Sequence, residues 1–451
     1  MTRGSLILAL VLAAPPLTAQ SLTVPATVDT LPNGLRVIVH EDRSAPIVTV
    51  NTWYHVGSGS EKAGRTGFAH LFEHLMWMGS ENAPYPQFDR MLEAAGASNN
   101  GSTTEDRTNY YNFGPKSSLE LMLWLEADRM GGLLPPMDET KVDAQRDIVK
   151  NERRQSYENQ PYGKVADIMP KLMYPAGHPY SWPVIGSMED LSAASLEDVK
   201  DFFRTWYAPN NAVMVVAGDV TRAEVLTMVR KYFSFIPRGP AITYPTPSQP
   251  ALQRDTLVNV EDAVGAARLY YSFPTTRAWS PDDAALQVAA YILSGAKNSR
   301  LDTRVVHQDQ TAAGISVFAN GQRLAGDVTI MATAKPGGDL APLQRAIDEE
   351  LRKLAADGPT AREMEQAMNA MEAGFLNAVQ TVGGKADQLN AYYFATGEPD
   401  AFQRDLDRLK AVTPADVRRV VGQYLLGARA IVGVVPEGQL EKGAVRRDVT
   451  P

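Results

Sequence analysis

The hydrophobic pattern changes period repeatedly along the chain. In Asp29-Thr-Leu-Pro-Asn33-Gly34-Leu-Arg-Val-Ile-Val39, Asn33-Gly34 predicts a β-hairpin closed by a type I′ turn, because both residues tolerate positive φ. Ile47–Tyr54 predicts a second strand, which leads through Gly57-Ser-Gly-Ser60 into an apolar helix within Gly67–Gly79. Phe88–Ala95 is helical, Asn99–Thr104 reads as a loop entering a strand that continues to Tyr111, and Leu119–Met130 is a further helix. A longer helix is expected from Asp138, its N-cap, to near Tyr157, with Val142, Gln145, Ile148/Val149 and Glu152 along one side. Ser195-Leu-Glu-Asp198 opens another helix as a capping box with Asp in the acidic position, and Ala212–Ala217 is a buried strand. After a helix near Arg222–Phe233, the proline-rich stretch from Ile236 to Pro250 is the clearest linker.

Beyond the linker the pattern repeats. Thr413-Pro-Ala-Asp416 opens a helix carrying Val417, Val420, Val421, Tyr424 and Leu425, followed by the strand Ala430–Val435. Ser195–Gly218 maps onto Thr413–Pro436 without a gap, and the same offset lays His70, Glu73 and His74 onto Val288, Tyr291 and Ile292 of an apolar helix, Ala284–Leu293. The chain is therefore expected to be α+β, two similar α/β-sandwich domains related by internal duplication. The expected boundaries are a leader over residues 1–20, a first domain over 21–236, a linker over 237–252 and a second domain over 253–451.

Composition narrows the setting. A hydrophobic fraction of 44% and a charged fraction of 21% are those of an ordinary globular protein, and a net charge of −8 argues against a nucleic-acid partner. Arg3, the apolar run Leu6–Ala14 and Ala19 have the layout of a cleaved secretory signal, so the mature chain is expected to be exported, most simply to the periplasm of a Gram-negative cell. No later run is long enough to cross a membrane, and there is no cysteine for a disulfide or lipid anchor.

The candidate chemistry lies in Gly67-Phe-Ala-His-Leu-Phe-Glu-His-Leu-Met-Trp-Met-Gly79. Spacings of three and four place His70, Glu73 and His74 on one face of a helix that is otherwise core material. Two imidazoles one turn apart can both reach a Zn²⁺ at about 2.0–2.1 Å, and the intervening carboxylate can reach a metal-bound water. Glu152 lies on the apolar side of its helix, which fits either a third metal ligand or an ion pair with Arg153 or Arg154. Asn99-Asn100 alone reads as an ordinary turn.

These stretches together resemble the zinc peptidase family of pitrilysin, insulysin and mitochondrial processing peptidase, in particular its bacterial two-domain members of roughly 50 kDa. The resemblance runs over nearly the whole mature chain. It rests on Gly67-Phe-Ala-His-Leu-Phe-Glu-His74, Asn99-Asn-Gly-Ser-Thr-Thr104, Val149-Lys-Asn-Glu152-Arg-Arg, Tyr157-Glu-Asn-Gln-Pro-Tyr-Gly163, Gly177-His-Pro-Tyr180 and Trp206-Tyr-Ala-Pro-Asn-Asn211. It implies one Zn²⁺ per chain held by His70, His74 and Glu152, with Glu73 as general base. It also implies an edge strand at Asn100, Gly101, Ser102 and Thr103 that takes peptide or unfolded protein as an added strand. The chain would be half of a four-domain clamshell. Two positions depart from the family pattern. Gln145 stands where many members have a Glu that supports the third ligand. Val306 and Ala313 stand where complete members place an Arg and a Tyr that hold the substrate carbonyl, so the expected partner is a homologous subunit supplying that pair.

Overall fold

The computed structural model describes residues 22–247 and 250–446. The expected leader therefore lies outside the described residues. The first half folds around a six-stranded sheet of β1 (Thr27–Thr30), β2 (Arg36–Glu41), β3 (Ile47–Tyr54), β4 (Ser98–Thr103), β5 (Thr108–Pro115) and β6 (Ala212–Gly218), in the order β1-β2-β6-β3-β5-β4. The second half has five strands: β7 (Thr256–Asp262), β8 (Arg268–Thr275), β9 (Ala312–Gly321), β10 (Gly326–Ala334) and β11 (Ala430–Pro436). Their order, β7-β11-β8-β10-β9, is that of β2-β6-β3-β5-β4 repeated. In both sheets the last strand in sequence inserts near the middle, parallel to one neighbour and antiparallel to the other. The duplication read from Ser195–Gly218 and Thr413–Pro436 is thus carried by the whole topology. Both expected capping boxes are formed, at Ser195/Asp198 and at Thr413/Asp416.

Five helices matter for the site: α1 (Phe68–Leu75), α2 (Gln87–Ala94), α3 (Leu119–Gly132), α4 (Glu139–Arg153) and α5 (Val165–Met173). Helix α1 packs Phe68, Leu71, Phe72 and Leu75 into the first core, where Phe72 stacks on Phe202 and Tyr207. Asp138 caps α4 by accepting from the Lys141 N–H at 2.9 Å.

Each half covers the back of the other's sheet. The helix Val382–Thr396 of the second half lays Val382, Ala386, Leu389 and Tyr392 against Ile38, Val213, Val215 and Ala217 of the first sheet. Reciprocally, α5 of the first half packs Val165, Ile168, Met169 and Leu172 against Val432 and Val434 of β11. This exchange explains why β6 and β11 read as unbroken apolar runs, since both faces of each are covered.

Two local expectations change. The β1–β2 loop runs from Leu31 to Leu35, and of Asn33 and Gly34 only Gly34 has positive φ (+94°), so the turn is not type I′. Asn33 instead donates its amide to Phe233 O and Ile236 O at 2.9 and 3.0 Å, a tertiary use that local propensity does not show. Asn99–Thr103 is strand and not loop, and the chain reverses at Thr104–Arg107 before β5. Its Asn, Gly and Ser residues disfavour strand locally, and pairing with β5 overrides them.

Leu389 is fully buried in the exchanged interface. Leu389→Ala is expected to lower stability by about 2–4 kcal/mol, measured by urea denaturation of the whole chain.

Candidate active site

Helix α1 is fixed at its N-terminus before it presents anything. Gly67 precedes it at φ +89°, and a Cβ there would stand 2.6 Å from Ile185 O, so both conformation and space require glycine. The buried Glu61 carboxylate accepts from the N–H groups of Gly67 (2.9 Å) and Ala69 (2.7 Å), which would otherwise be orphan donors of the first turn. Burial pushes the Glu61 carboxyl up to about 8, against the opposing pull of those two donors.

The polar face of α1 then meets α4. His74 Nε2 lies 3.3 Å from one Glu152 oxygen and His70 Nε2 lies 3.8 Å from the other. One donor atom from each of the three residues falls within 4.8 Å of the other two. A tetrahedral zinc with bonds of about 2.0–2.2 Å needs donors some 3–4 Å apart, so the set fits that ion. Protonation fits as well. Burial holds the His70 imidazolium below its usual range, and the hydrogen bond from His74 holds Glu152 below the usual carboxylate range. A neutral imidazole beside a charged carboxylate is what a divalent cation requires. Among the described residues His70 Nδ1 is buried without a hydrogen-bond partner, so no acceptor there fixes that ring's tautomer.

Neither arginine beside Glu152 competes for it. Arg153 turns into the protein, donating to Gly186 O (2.8 Å) and Asp167 (2.6 Å), while Arg154 donates to Asn151. Arg153 thereby anchors the last turn of α4, a role that the sequence reading, which offered it as a partner for Glu152, missed. Gln145 is buried on α4, but its amide points to Met78 Sδ at 2.9 Å, and among the described residues it makes no hydrogen bond to Glu152.

Glu73 faces β4. The Thr103 hydroxyl donates to one of its oxygens at 2.6 Å, and among the described residues the other has no hydrogen-bond donor. A Cβ on Gly101 would come 3.2 Å from Glu73 Cγ, so the strand approaches α1 closely there. Among the described residues strand β4 pairs only with β5, which leaves its outer edge open there. The tip is closed by Thr104 N–H donating to Arg107 O, and antiparallel ladders alternate from such a closing pair. Asn100 and Ser102 therefore spend their backbone groups on β5, while Gly101 and Thr103 present theirs outward. The Asn100 side chain accepts from the Gly101 N–H (2.8 Å), and Ser102 donates to Asn109 (2.6 Å). The four expected edge residues thus divide between two faces. Gly101 and Thr103 combine outward backbone groups with proximity to Glu73, the Gly101 N–H being held by the Asn100 side chain.

A helix bearing two histidines and a carboxylate against a distal glutamate, beside an open strand edge, defines a metallopeptidase type of site. Comparison gives the family. The description "Insulinase (Peptidase family M16)" matches residues 36–177, and "Peptidase M16 inactive domain" matches residues 193–371. The chain belongs to the M16, insulinase-like peptidase family. It is 28% identical to zinc protease PqqE of Helicobacter pylori over 88% of this chain and 89% of that one. It is 26% identical to a probable mitochondrial-processing peptidase subunit beta of Arabidopsis thaliana over 90% of this chain and 77% of that one. The crystal structure of a protease from Helicobacter pylori aligns with a TM-score of 0.86 at 25% identity, covering 92% of this chain and all of that one. A structure titled peptidase M16 inactive domain, from Pseudomonas fluorescens, aligns at 0.81 with 18% identity, covering 91% and 98%, and shares the fold.

Glu61→Ala leaves two buried N–H groups at the start of α1 unpaired. It is expected to cost about 1–3 kcal/mol in denaturant unfolding of the metal-free chain.

Proposed function

We propose that this chain is a zinc-dependent endopeptidase subunit that hydrolyses peptides or unfolded segments held as an added strand on β4. His70, His74 and Glu152 hold the metal. Bound there, zinc supplies Lewis acidity, lowering the pKa of water and polarising the substrate carbonyl. Glu73 takes the proton of the attacking water and returns it to the leaving amine. Gly101 and Thr103 offer outward backbone groups to an extended peptide, which favours unfolded segments over folded ones. The observation that carries the reading is the Thr103–Glu73 hydrogen bond, which engages one carboxylate oxygen and leaves the other available.

The rival is a metal-binding or structural subunit without chemistry. The name of the second matched domain, "inactive", belongs to residues 193–371, which contain none of His70, Glu73, His74 and Glu152. A subunit that only bound metal or peptide would have no use for an oriented Glu73.

The second half does not supply the carbonyl-holding pair. Val306 packs at the edge of the second core and Ala313 is exposed. The neighbouring Arg304 is committed to Asp309 and Glu349, at 2.7 and 2.9 Å. We therefore read the chain as the zinc-bearing subunit of a heterodimer, a two-domain half of a clamshell whose partner contributes the Arg and Tyr. Its setting is the periplasm, on the strength of the leader.

Glu73→Gln is expected to keep one zinc per chain by elemental analysis and to lose about 10²–10⁴ in peptide turnover. Near-wild-type hydrolysis by that variant would sink the assignment. The lone chain should be chelator-sensitive and about 10²–10³ slower than a mixture with its homologous partner. Equal rates would refute the heterodimer and leave the peptidase standing.

A further inference from the structure

The second half, which lacks the His and Glu positions of α1, meets the tip of the β4–β5 hairpin with a hairpin of its own. Its β9–β10 hairpin ends in a two-residue tip, Arg323-Leu324, closed by Gln322 N–H donating to Ala325 O at 2.9 Å. The β4–β5 hairpin of the first half ends in the equivalent tip, Glu105-Asp106. The two tips, counterparts in the internal duplication, meet each other. Asp106 accepts from the Arg323 N–H at 3.0 Å and lies 3.4 Å from its guanidinium. The Tyr180 hydroxyl sits between them, donating to Asp106 at 2.6 Å and accepting from the Leu324 N–H at 3.1 Å. Tyr180 is itself buried and held by His178 Nδ1, which accepts from its N–H at 3.0 Å.

On its other side the β4–β5 tip rests on the loop that leads toward α1. Ser58 and Gly59 donate backbone N–H groups to Thr104 O (3.1 Å) and Glu105 O (2.8 Å). A Cβ on Gly57 would stand 2.2 Å from Thr104 O, which accounts for the glycine. The tip is gripped from both sides, and Thr103 is three residues from Asp106. An edge strand has a ladder on one side only, so its outer end frays unless something ties it down.

We propose that the Asp106–Tyr180–Arg323 clasp is a positioning device by which the second half sets the edge strand, and through the Thr103 hydroxyl orients Glu73. Thr103 is the positioning residue for the base, and Tyr180 positions Thr103. The "inactive" half then has a part in catalysis without contributing a ligand or touching substrate.

This inference rests on the peptidase reading for its kinetics, and hydrogen exchange tests it without turnover. In the metal-free chain, Tyr180→Phe should speed amide exchange at Asn100 and Ser102, whose N–H groups are bonded to β5, while leaving β3 and β6 unchanged. Unchanged exchange in β4 would overturn the clasp. With zinc and the partner subunit present, Thr103→Val should lower kcat about tenfold with KM within twofold, and Thr103→Ser should restore it. Tyr180→Phe should lower kcat about threefold and raise KM, and in the Thr103→Val background its effect on kcat should vanish while its effect on KM persists. Independent, multiplicative effects on kcat would overturn the coupling. If the wild-type chain showed no turnover at all, the peptidase reading would fall and the exchange experiment alone would decide the clasp.

Discussion

Everything in the first half answers to one constraint. A helix of eight residues must bury five apolar side chains and still deliver two imidazoles and a carboxylate to its other side. It is too short to be stable alone, so its position is imposed from outside. Glu61 ties its first turn, Gly67 permits the backbone to enter, and Phe72 stacks into an aromatic cluster with Phe202 and Tyr207. Against that fixed piece α4 brings Glu152 from one side and β4 brings Thr103 from the other. The site is a meeting of three elements at a helix that contributes little stability of its own.

What could be read in the chain beforehand follows from this. His70, Glu73 and His74 were legible because helical spacing converts directly into a shared face. The duplication was legible because Ser195–Gly218 and Thr413–Pro436 align without a gap. Glu152 was ambiguous: periodicity shows which side of a helix a residue occupies, not what stands opposite. The paths of Arg153 and Arg154 away from it remove the ion pair, and the structure adds His74 and His70 at 3.3 and 3.8 Å from its carboxylate. The β-character of Asn99–Thr103 was hidden because its residues favour turns, and its pairing partner is a nonlocal decision of the sheet. Glu61 gave no signal, since a carboxylate that caps a helix from six and eight residues upstream matches no local motif.

The duplication also separates two kinds of inheritance. Strand order, capping boxes and the covering of each sheet are kept in both halves, because they are conditions for folding. The His and Glu positions of α1 are kept in one half only. Val288, Tyr291 and Ile292 turn the equivalent helix into plain core, with Asp283–Ser294 burying nearly all its length. A repeated unit can lose its chemistry without losing its architecture because the two draw on opposite faces of the same helix.

The exchanged helices bear on the order in which the molecule is made. The strands of the first sheet are all synthesised by Gly218, yet the helix that covers their back, Val382–Thr396, comes close to the end of the chain. For most of synthesis Ile38, Val213 and Val215 have no partner, and a first half released early would carry an apolar surface into solution. Such a chain gains from being kept unfolded until it is complete.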